Sequence, residues 1–118
     1  MIEQAWVTLA ALTALEPNDA TAVELNGRWY AVYDTAEGYF VSDARCTHAG
    51  ANLCDGYFDG KHIECPLHQG LFDARNGAAV AAPVTRNLRM FDCRVINDKL
   101  EILLESHLQT DSQNATRC

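Results

Sequence analysis

The chain has 118 residues, 48% of them hydrophobic, which suits one domain with a modest core. Sixteen acidic against nine basic side chains give a formal charge of −7, which argues against nucleic acid as a partner because phosphate binding needs a basic patch. No apolar run approaches the ~20 residues of a membrane span and no signal peptide is evident, so we expect a cytoplasmic protein.

Short β-strands are predicted along the first third of the chain. A strand at residues 5–9 precedes one helical turn that ends before Pro17, which lacks a backbone donor. Asn26-Gly27 stands between two β-prone runs, residues 20–25 and 28–33, and is a strong hairpin signal. A further turn at residues 35–38 leads to a strand at 39–42. Three strands in a meander are therefore expected.

Strands resume after residue 83, where runs at 89–96 and 100–104 flank a turn at Asn97-Asp98-Lys99. The predicted fold class is all-β, a small antiparallel sandwich or barrel. We expect a single domain over residues 1–118, with an inserted subdomain at about 43–83 that holds the motifs described below. Residues 105–118 are polar and are predicted to form a disordered tail.

Two short motifs within that insertion carry the chemistry. They are Cys46-Thr47-His48 and Cys65-Pro66-Leu67-His68, each with one thiol and one imidazole. Cysteine binds metals as a thiolate and histidine as a neutral imidazole. Two loops of this kind suit zinc with two Cys and two His, or a 2Fe-2S cluster in which His replaces Cys on one iron.

The spacing of the ligands favours the iron–sulfur cluster over zinc. A zinc finger with this ligand set pairs like with like, Cys-x(2–4)-Cys and then His-x(3–5)-His, whereas each loop here mixes the two types. Glycines also concentrate around the motifs, where they let backbone approach a cofactor and turn N–H groups towards it. A zinc-stabilised interaction module remains the alternative.

Three further cysteines, Cys54, Cys93 and Cys118, lack the regular spacing of a disulfide framework. Reduced thiols fit a cytoplasmic setting. We interpret Cys54 and Cys93 as small, partly buried side chains and Cys118 as a free thiol in the tail.

The motifs, together with Gln69-Gly70 and Phe72-Asp73, resemble the Rieske-type 2Fe-2S ferredoxins of bacterial aromatic-ring-hydroxylating dioxygenases, of the naphthalene dioxygenase type. The resemblance extends over roughly residues 5–104. It implies that Cys46 and Cys65 hold the buried iron and that His48 and His68 hold the outer iron. It also implies a one-electron carrier, not an enzyme.

The same resemblance implies the partners of such a carrier. A flavoprotein reductase that oxidises NAD(P)H would reduce it, and a terminal oxygenase with Rieske and mononuclear iron centres would accept its electron. A ferredoxin of a monooxygenase system and the Rieske-like small subunit of a larger reductase are alternatives. All four ligand residues are present, which counts against the reductase subunit, because many such subunits resemble this fold without the ligands.

Residues near the motifs favour the low end of the Rieske potential range. The respiratory, high-potential type carries a disulfide between its loops at the positions of Ala51 and Leu67, and hydroxyls at the positions of Gly70 and Phe72. Fewer hydrogen-bond donors stabilise the more negative, reduced state less.

Overall fold

The computed structural model describes residues 2–46, 51–67, 69–82 and 84–107. Within these ranges no helix has the length and apolar character that crossing a bilayer requires. The described residues form ten strands, in the order β1 Ile2–Ala11, β2 Ala20–Leu25, β3 Arg28–Thr35, β4 Gly38–Asp43, β5 His62–Glu64, β6 Leu71–Asp73, β7 Ala79–Ala81, β8 Met90–Phe91, β9 Cys93–Ile96 and β10 Lys99–His107. They also form single turns of 3₁₀ helix at Leu12–Ala14 and Leu53–Asp55.

The strands form three antiparallel sheets. The terminal sheet has the order β1-β10-β9, the central sheet has the order β2-β3-β4-β8, and the small sheet has the order β5-β6-β7. The predicted all-β antiparallel fold class is confirmed. The β2–β3 hairpin turns at Asn26 and Gly27, whose φ angles of 54° and 81° are the left-handed values that a type I′ turn requires.

The central sheet has a hydrophobic core on each of its faces. Successive side chains of a strand point to opposite faces, and along β3 they alternate between the two cores. Ala31 and Tyr33 belong to a first core that includes residues of the small sheet, Ile63 and Phe72 among them. On the other face a second core joins the central and terminal sheets through Leu9, Leu15, Tyr30, Val32, Val41, Phe91, Leu100 and Ile102. The central sheet is therefore the middle of three layers.

Several strands are longer than predicted, and two differences affect the C-terminal part of the chain. The strand predicted over residues 89–96 is two strands, because the chain changes sheets at Asp92: β8 pairs with β4 and β9 pairs with β10. The carbonyl of Asp92 accepts a hydrogen bond from Leu103 of β10 at 2.9 Å, which holds the crossing point. Strand β10 also continues to His107, so the tail predicted from residue 105 was placed too early. Residues 108–118 lie outside the described ranges.

Candidate metal centre

The first predicted ligand lies just beyond the end of β4. Pairing continues past the strand, because the Ala44 N–H donates to the carbonyl of Trp29 at 3.2 Å and the Ala44 carbonyl accepts from Leu53 at 2.7 Å. The Cys46 N–H then donates to the carbonyl of Ala51 at 2.8 Å. The thiol of Cys46 is thus held at the neck of a tight loop, with only 2% of the residue exposed.

The second loop repeats this construction. Cys65 follows β5, and its N–H donates to the carbonyl of Gly70 at 2.8 Å. In both loops the bond joins a cysteine to the residue five positions later. Cys65 has no exposed surface. His48 and His68 fall inside these two loops by their position in the chain and lie outside the described residues.

The two thiols meet inside the first core. Cys46 and Cys65 belong to the same buried cluster and hydrogen-bond to each other through their side chains. Burial raises the pKa of Cys65, and the hydrogen bond with Cys46 raises it further. Two buried thiols that meet from separate loops are a donor pair suited to one metal ion. The thiols bind as thiolates, and the positive metal compensates the negative charge that would otherwise be buried there.

The other two predicted ligands, His48 and His68, lie outside the described residues. Within the described ranges, His, Cys, Asp and Glu side chains form no group of three or more that could hold a metal ion. Among the described residues, Cys46 and Cys65 converge from the necks of two matching loops. They fit a site in which two thiolates bind one metal ion.

A contact between the loops was not predicted from the sequence. Gly56 follows the 3₁₀ turn after the first loop and lies directly against the backbone that enters the second. A Cβ at residue 56 would overlap the carbonyl oxygen of Glu64 and stand 3.2 Å from Cδ of Pro66. Gly56 has φ −94°, an ordinary extended value that any residue can adopt. Glycine is required there because a Cβ has no room, and not because of the backbone conformation. The only signal in the sequence was a glycine near the motifs.

Gly70 is restricted in the same way at the end of the second loop. A Cβ at this position would lie 2.6 Å from Cγ1 of Val84 and 3.1 Å from its Cγ2. This contact is separate from the predicted role of glycines near the motifs, which is to let backbone approach a cofactor. Any side chain at residue 70 must therefore displace Val84, whose branched Cβ leaves it few alternative rotamers.

The remaining cysteines take ordinary positions. Cys54 is partly buried, and burial, followed by the charges of Asp55 and Asp19, raises its pKa to about 12. Cys93 donates from Sγ to the carbonyl of Tyr39 at 3.3 Å. Among the four described cysteines none forms a disulfide. The expectation that Cys54 and Cys93 are partly buried is confirmed.

The aromatic residues of β3 differ in exposure. Tyr30 and Tyr33 are buried, whereas 48% of Trp29 is exposed.

The match to a known family extends over most of the chain. Residues 5–92 match the Rieske [2Fe-2S] domain. The chain belongs to this family, and its cofactor is a Rieske-type 2Fe-2S cluster. This result favours the iron–sulfur interpretation of the two motifs over the zinc interpretation.

Within the family, individual proteins of one functional type are similar to this chain. The ferredoxin component of the naphthalene 1,2-dioxygenase system of Pseudomonas putida is 37% identical over 97 residues, which are 82% of this chain and 93% of that protein. The solved ferredoxin of Sphingomonas yanoikuyae B1 has a TM-score of 0.77 and 33% identity, with 83% of this chain and 97% of that one covered. A structure described as the complex of reduced oxygenase and oxidised ferredoxin in carbazole 1,9a-dioxygenase matches with a TM-score of 0.75 and 30% identity, covering 82% of this chain and 91% of that chain.

Proposed function

We propose that this protein is a one-electron carrier, the Rieske ferredoxin component of a multicomponent system that hydroxylates aromatic hydrocarbons or aromatic acids. The observation that carries the proposal is the pair of matching cysteine loops in a chain that aligns along most of its length with ferredoxin components of dioxygenase systems. The similarity extends over 93% of the Pseudomonas putida relative, which is a ferredoxin component.

The cluster ligands in this proposal are Cys46, His48, Cys65 and His68. The two buried thiolates hold the inner iron, and the two histidines hold the outer iron. The two loops are closed in the same way, each by a hydrogen bond from the cysteine N–H to the carbonyl five residues later. This supports the proposal, because each loop then supplies one cysteine at its neck and one histidine further along the sequence.

The ligand set determines the net charge of the cluster and therefore how favourable its one-electron reduction is. Two ferric ions, two sulfides, two thiolates and two neutral imidazoles sum to zero charge, and one electron makes the sum −1. An all-cysteine cluster is two charges more negative in each state, so its reduction is less favourable. The protein's own part is to bury the thiol side, to keep bulk water from it and to fix both loops.

The proposed partners are two proteins. A flavoprotein reductase that oxidises NAD(P)H supplies single electrons, and a terminal oxygenase with Rieske and mononuclear iron centres takes them. The charge of −7 supports docking to basic surfaces of such partners. We further propose a cytoplasmic location and one domain over residues 1–118, with the cluster-binding subdomain at about 43–83. An oxygenase of the monooxygenase type is the alternative acceptor.

The test begins with the protein purified without oxygen. A red-brown protein whose dithionite-reduced EPR signal has an average g value below that of all-cysteine clusters supports the proposal. Reconstitution with a reductase and an oxygenase of a naphthalene dioxygenase system should then give product only when this protein is present. A colourless protein with one bound zinc ion would contradict the proposal and favour an interaction module.

A further inference from the structure

A partly buried ion pair lies at the base of the first ligand loop. The guanidinium of Arg28 contacts both carboxylate oxygens of Asp43, with Nε and Nη2 at 3.0 and 2.8 Å from Oδ1 and Nη2 at 2.9 Å from Oδ2. The side chain of Asp43 is 3% exposed, whereas that of Arg28 is 37% exposed. The negative partner is therefore inside the protein and the positive partner reaches it from the surface.

The geometry of Arg28 is fixed by its surroundings. Its guanidinium carbon lies 5.8 Å from the ring centre of Tyr30 and 5.7 Å from that of Phe91. Contacts of a guanidinium with aromatic rings at such distances are favourable. A two-pronged contact to a carboxylate also restricts orientation more than a single hydrogen bond does. The ring contacts and the contact to Asp43 together hold the guanidinium in the ion pair.

Asp43 is attached to the cluster loop by a short and well-bonded piece of chain. Asp43 ends β4 and donates its N–H to the carbonyl of Arg89 at 3.0 Å. Ala44 is hydrogen-bonded on both sides, to Trp29 and Leu53, and Cys46 closes the loop. Three residues span at most about 11 Å between their Cα atoms, so the pair lies close to the proposed ligand Cys46.

We propose that Arg28 and Asp43 are positioning residues that anchor the entrance of the first ligand loop. Because their charges cancel, the cluster has no uncompensated charge beside it, and this balance affects the equilibrium between the oxidised and the reduced cluster. This inference rests on the proposed ligand role of Cys46. Because reduction adds a negative charge, a buried carboxylate left without its arginine opposes reduction, and an arginine left without its carboxylate favours it.

The expected size of the effect follows from Coulomb's law. At a separation on the order of 10 Å and an effective dielectric constant of about 20 to 40, one unit charge changes an equilibrium constant by roughly four- to fifteenfold. The carboxylate is deeply buried and screened little, whereas Arg28 is more than a third exposed and can turn to solvent. Removing Arg28 should therefore have the larger effect.

The experiment compares reduction midpoints by spectroelectrochemical titration of the cluster-containing proteins at pH 8. In Arg28→Gln the equilibrium constant for reduction should fall roughly four- to fifteenfold, and in Asp43→Asn it should rise by a smaller factor. The double variant and the charge-conserving Arg28→Lys should stay near the wild-type value. Arg28→Lys should nevertheless lose its cluster faster on heating, because lysine cannot make the two-pronged contact.

Shifts in the same direction in both single variants, or no shift in either, would overturn the inference, because a purely structural role does not depend on the sign of charge. If Arg28→Gln does not retain the cluster, the comparison of Asp43→Asn with the double variant or with Arg28→Lys still gives the sign. A wild-type protein without a 2Fe-2S cluster would instead contradict the proposed function.

Discussion

Replacing Gly56 with alanine should prevent the two ligand loops from holding the cluster. The added Cβ would overlap the carbonyl oxygen of Glu64, and it would stand 3.0 Å from the carbonyl carbon of that residue. Restoring ordinary contact distances requires a displacement on the order of 1.5 Å. The obstacle is backbone on both sides, so no side-chain rotation can relieve it.

The displacement is large compared with what a metal site accepts. Glu64 is bonded directly to Cys65, and its N–H is fixed to the carbonyl of Tyr57 at 2.8 Å. Metal–ligand distances tolerate only about 0.2 Å. A shift several times larger, transmitted to the thiol of Cys65, should abolish cluster binding. Overpacking of this kind costs about 1–3 kcal/mol of folding free energy, so the protein should still fold.

The assay is iron and sulfide content per chain, together with the visible spectrum and the thermal unfolding midpoint. Gly38→Ala is the matched control: nothing lies within 4 Å of an added Cβ, but φ is +118°, so alanine there costs a similar ~1–3 kcal/mol. Gly38 begins β4, at the opposite end of the strand from Asp43 and the first ligand loop. Gly38→Ala should lose stability and keep its cluster. Full iron and sulfide in Gly56→Ala would refute the reasoning about close approach.

Three other outcomes are expected. Cys65→Ser and His68→Ala should each lose the native cluster, whereas Cys54→Ser and Cys93→Ser should keep it; a native EPR signal in either of the first two would contradict the ligand assignment. Gly70→Ser with Phe72→Tyr should raise the reduction potential by adding hydroxyl donors, but only with Val84→Ala, since serine alone collides with Val84; an unchanged midpoint in the triple variant that keeps its cluster would count against the low-potential argument. The hydrogen bond with Arg75 lowers the pKa of Asp73, so this carboxylate contributes stability above its unfolded pKa of about 3.9 that is lost as the pH falls through the folded value. The difference in unfolding midpoint between wild type and Asp73→Asn should therefore shrink from pH 6 to pH 3, and a constant difference would exclude this linkage.

Local signals predicted the parts of the fold that depend on neighbouring residues. Asn26-Gly27 and Asn97-Asp98 mark tight turns because both residues of each pair adopt positive φ angles, which few other residue pairs tolerate. The two ligand motifs were equally local signals in the sequence. Short-range stereochemistry determines the two turns, so the sequence alone is sufficient for them, whereas the meeting of Cys46 and Cys65 in one core depends on the fold.

Contacts between distant parts of the chain were not predictable in this way. A continuous β-prone run over residues 89–96 gave no sign of the change of sheet at Asp92, because both halves favour extended backbone and only their different partners separate them. The contact of Gly56 with Glu64 depends equally on the packing of two loops. The ion pair of Arg28 with Asp43 joins residues fifteen positions apart, which look like ordinary surface charges in the sequence.

The two hydrophobic cores have different roles. The first core contains both cysteines and the small sheet, whereas the second core joins the central and terminal sheets and contains neither proposed thiol ligand. Because the second core has its own buried residues, the central sheet does not depend on the cluster alone for its stability. The central sheet shares its strands between the cores, and through Asp43 and Ala44 it links the stable scaffold directly to the first ligand loop.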